Sequence, residues 1–351
     1  MKLLRLFSIS LLMMLLNAQG EFFEPGYSIS GYGEFHWNRE LDKDSKITKN
    51  QMDFHRFIIF YGYNWTEEWS FKSEVELEHN FVADGQGEFE LEQAFVNYHT
   101  DKWGFQGGVI LPTAGLINEY HEPPLFLSVE RPIYNKYIIP TTWFGNGFAF
   151  YGNVADLNLR IALMEDLEGE GITTSGIRDA RGKGYKTTGY SFVKNMSAVY
   201  TGISSLRVGG SLTLNDAPIN NKPDTSISIQ MFEINAKYSA NNIYVVFEFG
   251  QNLFEGKNYT SPLKTSRGYY LDIGYDMGSM FNCNKLIPWF RVSNVSTDVD
   301  RDSKITDYIR YGLNWWPIDN IAFKMDYGTK TIKSDSDNPT TQINLGIGYN
   351  F

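Results

Sequence analysis

In the C-terminal stretch "TTQINLGIGYNF" (340–351), Thr341, Ile343, Leu345, Ile347, Tyr349 and Phe351 alternate with Thr340, Gln342, Asn344, Gly346, Gly348 and Asn350. Successive side chains leave a strand on opposite sides, so this is a β-strand with one apolar and one polar face. Working back from it, the same alternation predicts strands at 27–37, 51–63, 69–79, 88–98, 103–111, 147–153, 156–164 and 191–203. It continues at 206–215, 228–238, 242–251, 267–277, 286–293, 306–316 and 320–330, which makes 16 with the last. The connections after even-numbered strands are short, such as "HTDK" and "PID", with 278–285 somewhat longer. Those after odd-numbered strands are long and polar: 38–50, 80–87, 112–146, 165–190, 216–227, 252–266, 294–305 and 331–339. Short turns at one rim and long loops at the other are the pattern of an all-β transmembrane antiparallel barrel. Closure pairs every backbone group that an open edge would leave bare in lipid.

The totals agree. The N-terminus carries Lys2 and Arg5, an apolar run from Leu6 to Leu16, and the small-residue site Ala18-Gln19-Gly20. That is the layout of a secretory signal peptide over 1–20, leaving 21–351 as the barrel domain. Cys283 is the one cysteine, so neither an intrachain disulfide nor a lipid anchor at the cleavage point is expected. Apolar runs such as "FIIFYGY" (57–63) fall short of the roughly 20 residues a membrane-spanning helix needs. Aromatic residues make up 16% of the chain, and Trp37, Trp69, Trp103, Trp315 and Tyr349 near strand ends suit interfacial girdles. A net charge of −10 argues against a nucleic-acid partner. The competing architecture, a secreted β-sandwich or solenoid, would rarely keep this loop asymmetry, and no repeat at solenoid period is visible.

If the apolar parity meets lipid, the opposite parity lines the lumen. On the third and fourth strands that places Lys72, Glu74, Glu76, Glu78, Glu88, Glu90 and Glu92 inside, an acidic wall. Arg160, Arg207, Lys237, Arg291, Arg310 and Lys324 point inward from strands across the barrel. The expectation is a transverse field between acidic and basic walls that orients polar solutes; hydration of the wall is the plainer alternative. Arg56 breaks the pattern, sharing a parity with Ile58 and Phe60, so the second strand either bulges or is misread.

The connection 112–146 runs for roughly 35 residues, a length that is usually functional. It is rich in Leu, Ile, Tyr and Pro, which favours folding back into the barrel as a constriction. Its stretch "NEYHEPP" (118–124) gathers Asn118, Glu119, His121 and Glu122. His121-Glu122 opens like a zinc-protease H-E-x-x-H, but Leu125 stands at the second histidine and Pro123-Pro124 forbids the helix. No cofactor is expected. A looser divalent-cation site using His121, Glu119 or Glu122 with wall carboxylates is the alternative to plain anchoring of the loop. "DVDRD" (298–302) spaces its acids like a calcium loop but lacks the glycine, since Ser303 follows. "GIRDARGKG" (176–184) reads as a flexible surface. A barrel hydrolase, the rival class, would need a Ser-His or Asp-His pair near the membrane boundary, and the five histidines show no serine at a telling spacing.

The blocks "FHRFIIF" (54–60), "SEVELEH" (73–79), "EFELEQAFVNY" (88–98), "GVILPTAGLINEYHEPPLF" (108–126) and "IIPTTWFGNGFAFYG" (138–152) resemble the phosphate-selective porin (O/P-like) family of bacterial outer membranes. The likeness is dense over 27–165, and the terminal Phe351 with Tyr349 is similar to the signal read by the barrel-assembly machinery. The resemblance implies a homotrimer of 16-stranded barrels in outer-membrane lipid, with the loop after the fifth strand as constriction. The basic constriction of selective members is not matched, since Arg131 and Lys136 face Glu119, Glu122 and Glu130 in that loop. The function expected is therefore passive diffusion of small hydrophilic solutes or ions through a general or weakly selective porin. An anion- or phosphate-selective porin is the second reading.

Overall fold

The computed structural model describes residues 23–83, 86–119 and 121–351, and the expected signal peptide lies outside the described residues. Among them, sixteen strands form one closed barrel. The strands are β1 (Gly26–Leu41), β2 (Ile47–Asn64), β3 (Trp69–Glu78), β4 (Phe89–His99), β5 (Trp103–Ile110), β6 (Gly145–Val154), β7 (Leu157–Met164) and β8 (Val193–Ile203). The second half comprises β9 (Leu206–Ile219), β10 (Lys222–Ala240), β11 (Ile243–Lys257), β12 (Thr265–Tyr275), β13 (Lys285–Ser296), β14 (Ile305–Ile318), β15 (Ile321–Ile332) and β16 (Thr340–Asn350). Each strand pairs antiparallel with its neighbours in sequence. The ring shuts where β1 meets β16, from Tyr32↔Asn350 to Leu41↔Thr341. Just beyond, Gly31 and Phe351 exchange backbone hydrogen bonds of 2.9 Å in both directions.

The alternation read from the sequence sets which side faces out. Ile59, Phe148, Phe150, Ile161, Phe232, Ile234, Met325 and Leu345 are exposed on the outer surface. At the turn rim the aromatic residues touch: Trp69 lies 4.8 Å from Tyr98, and Tyr98 lies 5.4 Å from Trp103. No helix among the described residues is long and apolar enough to cross a membrane.

Two elements depart from expectation at their ends. The polar stretch 216–227 is strand, not loop: β9 and β10 extend until Asn220-Asn221 reverses the chain, both residues at positive φ. Asn241-Asn242 turns β10 into β11 in the same conformation, which suits the tight two-residue hairpin and which asparagine tolerates. The strands there are long, 19 residues in β10 against 8 in β5, so the barrel is taller on that side.

The Arg56 anomaly resolves as a bulge, together with a face assignment that the apolar parity had hidden. Glu34 pairs with Arg56 but Phe35 with Phe54, so His55 is an extra residue that bulges β2. Arg56, Ile58 and Phe60 then share the luminal face, where they oppose Glu78, Glu76 and Glu74. Ile58 is apolar yet luminal because the lumen is not simply wet: its side chain is fully buried there. A second bulge makes Glu92 the extra residue of β4, since Glu74 pairs with Gln93 and Val75 with Leu91.

Candidate functional site

The segment 111–144 leaves β5 at the loop rim and packs inside the barrel, with short helices α1 (Leu116–Glu119) and α2 (Tyr134–Tyr137) and a single tight turn at Pro123–Leu125. Ala114, Tyr134, Ile138 and Ile139 are fully buried, joined by Ile227, Ile229, Met231, Tyr270 and Val295 from the wall. A second group gathers Leu127 with Ile287, Trp289, Trp316 and Ala322. The apolar loop residues thus gain a core of their own within the lumen, removing them from water.

Irregular backbone cannot be buried unless its N–H and C=O groups find partners. The luminal polar residues supply them. Asn195 clamps Thr113 from both sides, accepting from its N–H at 3.0 Å and donating to its carbonyl at 3.2 Å. Glu248 accepts from the Leu116 N–H and, at 3.2 Å, from the Asn135 side chain. Asn252 donates to the Ile138 carbonyl at 2.8 Å, and Asn314 to the Leu127 carbonyl at 2.6 Å. Asp326 accepts from the Val129 N–H at 2.7 Å. Asn118 joins the two ends of the segment, donating to Pro112 at 2.9 Å and accepting from the Trp143 N–H at 3.0 Å.

Of the acidic residues expected to line the lumen from β3 and β4, three do not meet open water. Glu74, Glu76 and Glu92 are fully or almost fully buried. Arg56 stands 2.6 Å from Glu34 and 3.1 Å from Glu76, with Glu78 at 3.9 Å. From the folded-in segment, His121 places Nε2 3.1 Å from Glu74 and 3.7 Å from Glu92. Arg131 donates to the His121 carbonyl at 3.3 Å. Glu130 accepts from Asn38 at 2.9 Å and stands 2.9 Å from His36, which also pairs with Glu34 at 3.0 Å. Burial pushes the Glu130 carboxyl up, but the hydrogen bond and charge of His36 outweigh it and hold the group at about 2. Glu88 and Glu90 pair instead with Lys183 of the loop 165–192.

The basic residues also differ from the expected wall. Arg291 is buried in a two-pronged contact with Asp272, at 2.5 and 2.6 Å, and donates to Ser128 at 2.7 Å. Lys324 is buried, donates to the Phe126 and Ser128 carbonyls at 2.7 and 3.0 Å, and stands 3.9 Å above the Phe126 ring. Both fasten the segment rather than face a solute. Arg310 pairs with Asp326. Arg160 donates to Gln106 at 3.1 Å, and Arg207 to Asn235 at 2.9 Å. Arg207 stands opposite Lys237 in register, and both line a space of about 110 Å³ beneath Leu125 and Phe126. Charge is therefore not segregated, since Glu233, Glu248, Asp272 and Asp326 sit among the supposed basic strands. Glu122 is half-buried beside these clusters and in none of them, Lys136 is exposed on α2, and the Glu119 side chain is outside the described part.

Above the segment, toward the long loops, a vestibule of about 1050 Å³ opens. Its lining mixes Glu40, Glu78 and Glu130 with Lys49, Arg131, Lys136, Arg178, Arg310 and Lys330. It also holds a feature missed in the sequence: Asp53 bridges His55 at 3.0 Å and His79 at 2.8 Å, while His55 stacks 5.0 Å from His36. Only the bulge aligns these histidines, and alternation alone does not reveal it. The acids of "DVDRD" meet bases: Asp298 pairs with Arg301 at 3.1 Å and Asp302 with Lys333 at 2.9 Å.

No protein-family model matches the chain. A protein of Aquifex aeolicus (strain VF5) described as uncharacterized is 28% identical over 346 residues, covering 90% of this chain and 78% of the relative. Among solved structures, an anion-selective porin from Comamonas acidovorans superposes with a TM-score of 0.67 at 12% identity, covering 93% of this chain and all of that one. Salmonella typhi OmpF, in complex with daunomycin, gives 0.65 at 14% identity, covering 93% and 97%. The chain therefore has the closed 16-stranded barrel fold of bacterial outer-membrane porins.

Proposed function

We propose that this protein is an outer-membrane porin: a passive channel for small hydrophilic solutes or ions, general or weakly selective, narrowed by segment 111–144. The observation that carries this is the combination of a closed barrel, apolar outside, with a charged vestibule of about 1050 Å³ leading onto a segment folded within the lumen. Selectivity is weak in this reading because acidic and basic groups alternate around the vestibule and most buried charges are already paired. Purified protein added to a planar lipid bilayer gives stepwise conductance; silence at all voltages, from protein shown to be folded, sinks the proposal.

The second reading is an anion-selective pore. It is favoured by the sequence resemblance to phosphate-selective porins and by the cations Arg310, Lys330, Lys49 and Arg178 at the vestibule. The reversal potential in a salt gradient separates the two: a strong anion preference that weakens in Arg310→Ala supports the second. The resemblance also supports a homotrimer, delivered to the outer membrane by the barrel-assembly machinery, which cross-linking in native membranes tests.

A further inference from the structure

The middle of the folded-in segment meets the wall at His121, Glu74 and Glu92. One donor atom from each lies within 4.8 Å of the other two. His121 Nδ1 is 3.1 Å from the Asn118 carbonyl and can only donate to it, which leaves Nε2 as the nitrogen facing the two carboxylates. Unless something positive stands between them, Nε2 and Glu74 Oε1, both acceptors, face each other at 3.1 Å.

A proton on Nε2 would satisfy Glu74 alone. Glu92 would remain completely buried with neither carboxylate oxygen hydrogen-bonded. Glu92 also stands against the carboxyl groups of Glu74 and Glu76, and acidic groups buried together are costly to hold unless a proton or a cation is shared among them. Neither nearby guanidinium hydrogen-bonds Glu92: Arg56 pairs with Glu34 and Glu76, and Arg131, whose charge acts on Glu92 from a distance, donates to the His121 carbonyl. The Tyr32 hydroxyl, also buried and without a partner, lies in the same field of Glu74 and Glu92.

We propose that Glu74, Glu92 and His121 bind a divalent transition-metal ion of zinc type, which fastens the segment to β3 and β4. Donors around a tetrahedral zinc ion stand about 3.3 Å apart, given bonds of about 2.0–2.1 Å. The observed separations of 3.1 and 3.7 Å bracket that value. One imidazole and two carboxylates are a donor set zinc accepts, and the carbonyl of Asn118 orients the imidazole from behind. A single ion satisfies all three groups at once. Glu122, the carboxylate adjacent in sequence, takes no part.

The inference does not depend on transport. Untagged protein in detergent is stripped with EDTA, given zinc chloride, desalted, and assayed for zinc by mass spectrometry alongside thermal unfolding. Wild type retains about one zinc per chain and unfolds at a higher temperature with zinc than without. Glu92→Gln and His121→Gln lose at least tenfold of the bound zinc, while Glu122→Gln keeps it. In EDTA, Glu92→Gln unfolds at or above the wild-type temperature, because its buried charge is gone. Retention far below one per chain in wild type overturns the proposal. So does zinc that survives Glu92→Gln, or that is lost on Asp53→Asn, which removes the vestibule cluster of Asp53, His55 and His79.

Discussion

Arg291 shows how a single inward cation can serve the packing of the lumen. Its guanidinium is committed to Asp272 and Ser128 and lies between the rings of Tyr270 and Trp289, 5.1 and 5.6 Å away. Arg291→Leu leaves Asp272 buried and unpaired, at a cost of about 3–5 kcal/mol. The double variant Arg291→Leu/Asp272→Leu recovers most of that loss, measured as the unfolding midpoint in detergent. Glu130 carries the clearest pH signature outside the strands. Its carboxyl is depressed to about 2, so its anchoring of the segment is complete above the ordinary carboxylate range and fades as pH falls from about 4.5 toward 2. Cleavage within segment 111–144 by pepsin, which is active over that window, should rise as the pH falls, and Glu130→Gln should flatten that rise. The inward orientation of Arg291 was legible from strand parity. Its partner was not, because parity says which face a residue occupies and nothing of what lies across the lumen.

At the level of elements, the strands were nearly all legible, since one-sided contact with an apolar surround imposes alternation that no neighbour can override. The exceptions are physical. The bulge at His55 shows in the sequence only as the odd parity of Arg56, and the one at Glu92 leaves no mark, since Glu88, Glu90 and Glu92 keep their alternation. The polar face of β9 and β10 continues beyond the apolar band, where alternation fades although the ladder persists. That the segment folds back into the barrel was legible from its length and apolar content, but the glutamates and aspartates that hold it read as pore lining or not at all, and the asparagines of the wall gave no signal. Its fit depends on missing side chains: a methyl group on Gly348 would come within 2.5 Å of Pro123 Cβ, and one on Gly346 within 2.8 Å of Val129. Gly348→Val should therefore lift the turn at 123–125 off β16. A larger or noisier single-channel conductance than wild type, with the barrel still heat-resistant on gels, is the outcome expected.

Over the whole molecule, two apolar surfaces enclose a polar ladder: one faces outward, the other inward to segment 111–144. A barrel filled this way resists opening by hinge motion, because displacing the segment exposes Tyr134, Ile138 and Ile139 together with their wall partners. The seam between β1 and β16 bears on another matter. Ten paired positions and the reciprocal Gly31–Phe351 bonds make it an ordinary hairpin interface lacking only its connecting turn. Gly26 is five residues before Gly31, within about 17 Å of chain. In a chain that runs from β16 directly into β1, a short linker from Phe351 to Gly26 spans the turn rim, and new ends can be cut in the polar stretch 333–339 between β15 and β16. A rearranged chain of this kind should keep every strand pair, which heat resistance on gels checks, so the seam is expected to tolerate a covalent link as readily as the other fifteen strand interfaces tolerate theirs.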